Sequence, residues 1–279
     1  VIEGSPDIGG SRASMCLMAA ETLGVEYDKV RAQVADTEST GFCNVTGGSR
    51  TTFATGMAVT RACEDVIAEC KKRAAMTWGL DEDQVEWEDG QAIPGPGVNA
   101  DVKALSLADL AGKAAKTGGP IQGRASLNAQ GAGASFSVNF GDLRVDQETG
   151  KVDVLSYTAV QDAGKAIHPS YVEGQMQGGA AQGLGWALNE EYIFSDDGVL
   201  QNAGFLDYRI PVCSDLPMID TSIVEVANPS HPYGVRGVGE TPIVAPLAVA
   251  ANAVSRSLDM RICKLPLSPP NLLEAIDGE

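Results

Sequence analysis

The sequence predicts an α+β fold in which mixed and antiparallel sheets pack against helices. Long helical patterns, such as the one that begins near Ser49, occur alongside alternating strand patterns, such as the one from Lys151 to Val160. These patterns do not follow the regular strand–helix–strand order that predicts a doubly wound parallel sheet. With 279 residues, 44% of them hydrophobic, the chain can bury one large core or two smaller ones.

The first part of the chain alternates short strands with helices whose ends carry clear signals. Gly24 predicts the end of the first helix, because glycine readily adopts the left-handed conformation of a C-cap. Asp89-Gly90 predicts a hairpin turn. In order, the predicted elements are a strand at 1–3, a turn at 4–10, a helix from Ser11, as its cap, to about Leu23, a strand at 30–34, a polar loop at 36–48, a helix from Ser49 to about Ala75, a hairpin at 85–93, a loop at 94–104 and a helix from Ser106 to about Lys116.

Gly118-Gly-Pro120 interrupts these patterns, and we take it as the boundary between two lobes, 1–120 and 121–279. The helix predicted from Ser170 to about Leu188 contains five glycines, each of which costs about 1 kcal/mol relative to alanine inside a helix. We therefore expect close packing or close approach of a ligand along it. The other predicted elements of this lobe are an antiparallel pair at 135–145 and 151–160 with a bulge near Gly141, short strands near 191–194, 199–200 and 221–226, and a helix from about Pro242 to Leu258.

Charge and composition exclude several classes of function. The formal net charge is −17, from 37 acidic and 20 basic residues, so the chain would repel nucleic acid. No apolar run approaches the roughly 18–20 residues of a membrane span, and the first residues predict a strand rather than a signal peptide. Because the chain begins with Val1, we expect a fragment or a processed subunit.

The cysteines and histidines do not form a metal-binding pattern. None of the six cysteines forms a CxxC pair, and His168 and His231 lie far apart. We therefore expect no zinc or iron–sulfur site within the chain. This pattern is typical of reduced thiols in a cytoplasmic protein. Cys63 and Cys70 lie one heptad apart in a helical pattern, which favours core packing over ligation.

Three loops share one design, in which glycines or small polar residues directly precede a helix. A helix N-terminus offers free N–H groups and a partial positive charge, so it can bind phosphate or another anion. Nearby hydroxyl and guanidinium groups add donors. One such loop alone would be ordinary helix capping, whereas three in one chain favour a binding function. The candidate residues are Gly9, Gly10, Ser11 and Arg12 in the first loop, Gly47, Gly48, Ser49, Arg50 and Thr51 in the second, and Gly239 with Glu240 in the third.

Glu240 is the most distinctive of these residues. Three glycines in the six residues before it keep side chains away from its carboxylate. Such a glutamate either complements the positive end of a helix dipole or acts as a base beside a bulky cofactor. Gln175 and Gln177, in the glycine-rich helix, have two interpretations as well: they are ordinary surface residues, or their amides reach a bound group.

Two common enzyme classes fit the sequence poorly. A nicotinamide-dinucleotide fold needs a strand, a GxGxxG turn and a helix, followed by an acidic residue about 20 positions on. None of the three loops has this arrangement, and Gly131-Ala-Gly133 precedes a strand. The GxSxG elbow of the α/β-hydrolases is absent.

Taken in order, the distinctive segments form a series that extends from Gly4 to the helix after Glu240. The series is the glycine turn before the first helix, Asp36-Thr with Gly47-Gly-Ser-Arg-Thr-Thr52, Val145-Asp-Gln-Glu-Thr-Gly-Lys-Val152, Asp162-Ala-Gly-Lys-Ala-Ile-His-Pro169, Glu173-Gly-Gln175 with Gln182-Gly-Leu-Gly185, and Gly237-Val-Gly-Glu240. It resembles the C-terminal half of the molybdopterin-binding subunit of the xanthine dehydrogenase/aldehyde oxidase family. The Gly-Ser-Arg-Thr-Thr form is most similar to the bacterial, carbon-monoxide-dehydrogenase-like members.

This resemblance implies a role for each loop. Glu240 matches the family's active-site glutamate, the general base that takes a proton from a molybdenum-bound hydroxyl, so that oxygen from water reaches an electron-poor carbon. Gln175 matches the glutamine that hydrogen-bonds the cofactor near the metal. The second loop matches the loop around the pterin, and the first loop matches the one that faces its phosphate. The implied cofactor is molybdopterin with molybdenum, usually in the cytosine dinucleotide form in bacterial relatives.

The chain departs from the family pattern in two ways. Many members carry Gly-Gln-Gly in the first loop, where this chain has Gly9-Gly10-Ser11. The family's N-terminal half, with its Phe-Gly-Gly loop near the metal and much of the substrate pocket, is not part of this sequence. We therefore expect the isolated chain to be inactive and to need that half, together with partner subunits that carry iron–sulfur and FAD centres.

The sequence leaves three functions open. The first is a component of a molybdenum hydroxylase acting on a small molecule, such as an aldehyde, an N-heterocycle or carbon monoxide. The second is a non-catalytic domain of the same fold that binds no metal by itself. The third is a nucleotide-binding oxidoreductase that uses the same glycine loops.

Overall fold

The computed structural model describes residues 1–34, 36, 38–99 and 101–278 and confirms the α+β class. Contacts divide the chain into two compact units, one with Val1–Ala132 and Asn228–Val235, the other with Gly133–Ala227 and Arg236–Glu279. We call them unit 1 and unit 2. No helix in the described residues is both long and apolar enough to cross a membrane. The predicted loops at 36–48 and 94–104 include Thr37 and Ala100, which lie outside the described residues.

Unit 1 contains two long helices and two small sheets. The first two strands pair in parallel, and the next three form an antiparallel sheet that packs against the second helix. As predicted, Asp89 and Gly90 form the hairpin turn, with φ of 47° and 74°. The elements are β1 (Ile2–Glu3), α1 (Ser11–Leu23), β2 (Gln33–Val34), α2 (Thr51–Trp78), β3 (Val85–Glu88), β4 (Gln91–Pro94), β5 (Leu105–Ser106), α3 (Leu107–Gly112) and α4 (Ala114–Thr117).

The structure confirms some of the helix caps that the sequence predicts in unit 1 and contradicts one. Gly24 ends α1 in the left-handed conformation, and Ser106 caps α3 by accepting the Asp109 N–H at 3.1 Å, both as predicted. The prediction that Ser11 caps α1 was wrong. Gly10 holds the cap position with φ of 77°, and its left-handed backbone turns the chain into the helix at Ser11.

The two units differ from the predicted lobes, 1–120 and 121–279, at two segments. Residues 121–132 belong to unit 1, where the Arg124 N–H donates to Asp65 of α2 at 2.9 Å. Residues 228–235 also belong to unit 1. There, the ring centroid of His231 lies 5.4 Å from that of Phe53, and the hydroxyl oxygens of Tyr233 and Thr22 lie 2.7 Å apart.

Unit 2 is a three-stranded mixed sheet packed against two helices. The order is β6-β7-β8, with β6 and β7 antiparallel and β7 and β8 parallel. One sheet face, with Leu143, Tyr157 and Ile219, joins α5 and α6 in a single hydrophobic core. The elements are β6 (Ser137–Val145), β7 (Val152–Asp162), α5 (Pro169–Leu188), β8 (Ile219–Val224), α6 (Thr241–Leu258) and α7 (Pro269–Asp277).

Most predicted elements of unit 2 are present. The register of β6 and β7 shifts between Asp142 and Leu143, next to the bulge predicted at Gly141. The strands predicted near 191–194 and 199–200 were wrong, since only an isolated bridge joins Phe194 to Leu200. Helix α7 was not predicted. Its short apolar pattern follows two prolines, which gave no clear helical period.

Candidate functional site

Helices α5 and α6 pack side by side in the same direction. A Cβ atom added to Gly179 would lie 2.7 Å from Pro242 Cβ, and one added to Gly183 would lie 2.9 Å from Pro246 Cβ. One turn along α5 therefore corresponds to about one turn along α6. The N-terminus of α6 therefore lies beside the middle of α5, about 15 Å along the helix from the start of α5 at Pro169.

Glu240 occupies this end. It is the N-cap residue of α6, it is exposed, and Pro242 follows within the first helical turn. The preceding Gly239 carbonyl oxygen lies 3.5 Å from the position of a Cβ on Gly179, so the loop runs close against α5. The absence of a side chain at Gly239, directly before Glu240, thus allows the loop to pack against α5.

Gln175 lies one turn before Gly179 in α5. Residues four apart share a helix face, so Gln175 is on the side of α5 that faces the start of α6, and it is half-buried. The structure therefore places Gln175 of α5 near the N-terminus of α6, where Glu240 lies. Gln177 has a structural role instead, because its amide donates to the Ile219 carbonyl at 3.2 Å.

The glycines of α5 fall into two groups. A Cβ on Gly179, Gly183 or Gly185 would be within 3 Å of a neighbouring atom, whereas one on Gly174 or Gly178 would meet nothing within 4 Å. The first group permits close packing. The second leaves a side-chain-free strip on the exposed surface beside Gln175. Both reasons considered for the glycines of this helix are thus compatible with the geometry.

The second glycine loop is open and rich in donors. Gly48 and Ser49 both have left-handed backbones, with φ of 64° and 55°. A Cβ on Gly47 or Gly48 would meet nothing within 4 Å. Arg50 is the N-cap residue of α2, and Thr51 begins the helix. The N–H groups of the first turn have no acceptor within the helix itself, so they are oriented toward any group that approaches this loop.

The first glycine loop has a different electrostatic character. Gly9 and Gly10 have left-handed backbones, with φ of 63° and 77°. The Asp7 carboxylate accepts the Arg12 N–H at 2.9 Å and forms an ion pair with the Arg12 guanidinium, also at 2.9 Å. Ser11 is buried, and its hydroxyl donates to the Pro6 carbonyl at 3.4 Å. A carboxylate of the chain itself therefore already complements the N-terminus of α1.

Within unit 1, the segment before the first loop contacts residues on both sides of the second loop. Ser5 Oγ lies 2.7 Å from Thr55 Oγ1 and 3.2 Å from Cys43 Sγ. The Ser5 N–H donates to the buried Glu3 carboxylate at 3.2 Å. Burial raises the pKa of Glu3, and the hydrogen bond from Ser5 partly offsets this effect. The predicted site residues thus form two groups: the first and second loops are in unit 1, and Gln175 and Glu240 are in unit 2.

Sequence reasoning missed the residues that hold the Glu240 loop in place. The Asp162 carboxylate pairs with the Arg236 Nε at 3.2 Å, and Gln161 Nε2 donates to the Val238 carbonyl at 3.2 Å. Arg236 is the only cation of the loop from Gly234 to Glu240. This single charge was the one feature of the sequence that could have indicated an ion pair in the loop. Its partner lies too far away in the sequence for local patterns to reveal it.

The residues present fit a large, polyoxygenated cofactor at two places. The second loop combines open glycines with a helix N-terminus, and α5 presents an amide beside a bare strip of helix. The first loop fits an anion less well, because Asp7 occupies the N-terminus of α1. The described residues contain no group of three or more His, Cys, Asp and Glu side chains that could hold a metal ion directly.

Comparison with known proteins agrees with this donor pattern. The family described as the molybdopterin cofactor-binding domain matches residues 1–217. The chain belongs to this family. The match ends before the Glu240 loop, but individual relatives align across that loop as well. The putative xanthine dehydrogenase molybdenum-binding subunit XdhA of Escherichia coli (strain K12) is 32% identical over 98% of this chain and 37% of its own length.

The chain is also similar to a carbon monoxide dehydrogenase and to a quinoline 2-oxidoreductase. The carbon monoxide dehydrogenase large chain of Hydrogenophaga pseudoflava is 27% identical over 88% of this chain and 31% of its own length. The crystal structure of a Cu,Mo-CO dehydrogenase shares the fold, with a TM-score of 0.85 at 23% identity over 99% of this chain and 36% of that one. Quinoline 2-oxidoreductase from Pseudomonas putida 86 has a TM-score of 0.83 at 27% identity, over 99% of this chain and 36% of its own. The chain thus spans about a third of the length of these relatives.

Proposed function

We propose that this chain is the C-terminal molybdopterin-binding part of a molybdenum hydroxylase, and that Glu240 is its general base. The observation that carries the proposal is that Gln175, on the face of α5 toward α6, lies within about one turn of the level at which α6 begins at Glu240. A carboxylate that can accept a proton, near an amide that can both donate and accept hydrogen bonds, suits a site where an oxygen nucleophile loses a proton.

Each glycine loop has a separate task in this proposal. Gly47, Gly48, Ser49, Arg50 and Thr51 line the pterin, because their backbone is open and donor-rich. The Gln175 amide hydrogen-bonds the cofactor near the metal. The first loop, with Gly9, Gly10, Ser11 and Arg12, faces the cofactor's phosphate in this proposal, although Asp7 already complements the N-terminus of α1.

The chemistry is divided between the cofactor and the chain. When bound, the molybdenum cofactor supplies the two-electron acceptor and the activated oxygen, which derives from water. Glu240 accepts the proton of that oxygen nucleophile as it attacks an electron-poor carbon of an aldehyde, an N-heterocycle or a related substrate. Gly237 and Gly239 keep the approach to Glu240 clear of side chains, and the α5–α6 packing holds the carboxylate at a defined place.

The whole enzyme would contain more than this chain. The relatives are about three times as long, and two of them are named as a subunit and a large chain. We therefore propose that an N-terminal half completes the cofactor site, and that partner subunits carry the iron–sulfur and FAD centres. We also propose the cytosine dinucleotide form of the cofactor and a cytoplasmic location, as for a protein with free thiols.

Two observations favour a second candidate, a non-catalytic domain that binds no metal by itself. Asp7 occupies the N-terminus of α1, and Gly10 stands where many family members carry glutamine. Elemental analysis of the chain purified with its native partners separates the two functions. Stoichiometric molybdenum would exclude the non-catalytic alternative, and its absence would exclude the hydroxylase.

The test of the catalytic proposal is Glu240→Gln in the complete enzyme. Since general base catalysis contributes about 10²–10⁴-fold, turnover should fall by at least about 10²-fold while molybdenum content stays at the wild-type level. Glu148→Gln is a suitable control, because Glu148 is an exposed glutamate of the same unit in the turn between β6 and β7. Near-normal turnover of the Glu240 variant would disprove the assignment.

A further inference from the structure

We propose that Asp162 and Gln161, the last two residues of β7, are positioning residues for the Glu240 loop. Their side chains contact residues 236 and 238. They anchor the backbone two and four residues before Glu240, and so determine where its carboxylate stands. The inference rests on the proposed function of Glu240 as the base and adds two residues to it.

The first anchor is a largely buried ion pair. Asp162 Oδ2 lies 3.2 Å from Arg236 Nε, and the two side chains are only 12% and 14% exposed. Solvent therefore screens this pair much less than a surface pair. Asp162 Oδ1 accepts the N–H groups of Gly164 at 2.9 Å and Val226 at 3.0 Å. One carboxylate thus ties three chain segments together.

Arg236 is held at several further points. Its Nε donates to the Val226 carbonyl at 3.0 Å, and its guanidinium also donates to the Ala134 carbonyl at 2.8 Å. Its own N–H donates to the Ala163 carbonyl at 3.2 Å. The planar guanidinium makes several directed hydrogen bonds at once, which a lysine could not reproduce. These contacts fix the position of Arg236, from which the chain continues to Glu240.

The second anchor is a buried amide. Gln161 is 1% exposed, and its Nε2 donates to the Val238 carbonyl at 3.2 Å. Neighbouring residues of a strand point to opposite faces, so the two anchors extend from opposite faces of β7. The Val238 side chain packs against the core of unit 2 and completes this second attachment.

The two anchors matter because a glycine separates the anchored residues 236 and 238 from each other, and another separates residue 238 from Glu240. Gly237 and Gly239 have no side chains to pack, and glycine has the greatest backbone freedom of any residue. If residue 236 or 238 were released, Glu240 and the first turn of α6 would sample more positions. A displacement of about 1 Å at a reacting group can cost about 10²-fold in rate.

Unit 2 offers a matched control for the Asp162–Arg236 pair. Glu225 Oε2 pairs with Lys165 at 3.2 Å, and Glu225 Oε1 accepts the Ala166 N–H at 2.9 Å. This carboxylate also combines an ion pair with a backbone acceptor role, and it lies beside Val226. However, Lys165 is not in the Glu240 loop, and the pair is exposed at 58% and 42%.

The experiment compares Asp162→Asn, Glu225→Gln and Glu240→Gln in the complete enzyme. Asparagine retains an oxygen for the Gly164 and Val226 N–H groups, so Asp162→Asn removes mainly the pairing with Arg236. We expect kcat to fall at least tenfold, KM to change less than twofold, the pH profile of kcat to shift and molybdenum content to stay at the wild-type level. Glu225→Gln should leave kcat within twofold and the pH profile unchanged.

A second measurement does not depend on turnover. Hydrogen-exchange mass spectrometry of the same enzymes should show at least tenfold faster exchange for the peptide that contains residues 236–240 in Asp162→Asn, and no change there in Glu225→Gln. Gln161→Glu, which removes the donor to Val238, should have the same local effect. If Asp162→Asn does not fold, Arg236→Lys provides the comparison, with an expected smaller loss of kcat and intermediate exchange.

The outcomes separate this inference from the proposed function. If Glu240→Gln loses turnover but Asp162→Asn keeps the wild-type kcat, pH profile and exchange rate, the positioning role is excluded and the base assignment stands. If Glu240→Gln keeps turnover, the proposed function fails, and only the exchange data then bear on the anchors. Equal effects of Asp162→Asn and Glu225→Gln would also overturn the inference, since a general loss of charge would explain them.

Discussion

Gly183 of α5 lies directly against Pro246 of α6: a Cβ atom on the glycine would be 2.9 Å from both the Cβ and the Cγ of the proline. Pro246 is itself inside a helix, where it cannot donate a hydrogen bond to the previous turn. The two residues that most disfavour a helix interior therefore meet at one contact. Their combination permits the close approach of α5 and α6 that places Gln175 near the start of α6, where Glu240 lies.

The first prediction concerns this contact and its control on the same helix. Gly183→Ala should lower the free energy of unfolding by about 1–3 kcal/mol, because the added methyl overpacks the interface. Gly178→Ala should raise it by up to about 1 kcal/mol, because it meets nothing within 4 Å and alanine favours the helix. Urea unfolding of the two variants measures both values. Equal effects would contradict the close packing of Gly183.

Local signals in the sequence were sufficient for much of the fold. The glycine that ends α1, the Asp89-Gly90 turn and the glycine-rich helix were predictable, because each depends on backbone preferences within a few residues. The strands predicted between residues 191 and 200 were wrong, because alternation alone does not provide a partner strand.

The candidate site was predictable only in its individual residues. Glu240 and Gln175 were selected because glycines surround them in the sequence and because the chain resembles a known family. The link between Asp162 and Arg236 was missed, because side chains far apart in the sequence meet only through tertiary packing. The return of residues 228–235 to unit 1 was missed for the same reason.

The second prediction uses the six free thiols. Burial raises the pKa of Cys63 and Cys70 to about 11 and also raises the pKa of Cys16. At pH 8 only about one in a thousand of the Cys63 and Cys70 thiols is then ionised, and the thiolate is the reactive form. Iodoacetamide should therefore label the exposed Cys43, Cys213 and Cys263 of the folded chain first. Mass spectrometry of the labelled peptides tests this order, and urea should abolish it.

The third prediction concerns pH and unit 1. Burial lowers the pKa of His231 below its ordinary value of 6.5, and the Phe53 carbonyl partly opposes this effect. The unfolded chain therefore takes up a proton at this residue at a higher pH than the folded chain does. The stability that His231 contributes is present above pH 6.5 and is lost as the pH falls from there toward the lowered pKa.

A His231→Asn variant isolates this contribution. The asparagine oxygen can replace the His231 Nδ1 that accepts the Tyr233 N–H at 3.0 Å, so the local turn is kept. Between pH 7 and pH 5, the free energy of unfolding should fall more steeply for the wild-type chain than for the variant. Parallel pH profiles in urea unfolding would show that His231 does not titrate in this way.

The fourth prediction tests the second loop for contact with the cofactor. Gly47 is not in the left-handed region, and a Cβ atom there would meet nothing within 4 Å, so Gly47→Ala should leave the stability of this chain unchanged. Gly112, at the end of α3, is equally open and provides the control. If Gly47 lies against the pterin, the added methyl occupies space that only the cofactor needs. Molybdenum content of the complete enzyme should then fall severalfold in Gly47→Ala and stay at the wild-type level in Gly112→Ala. The unfolding midpoint of Gly47→Ala should match that of the unmodified chain, and that of Gly112→Ala should be equal or slightly higher, because alanine favours the helix. Full molybdenum content in Gly47→Ala would remove the second loop from the proposed cofactor site, because a cofactor in contact with this backbone leaves no room for a methyl group.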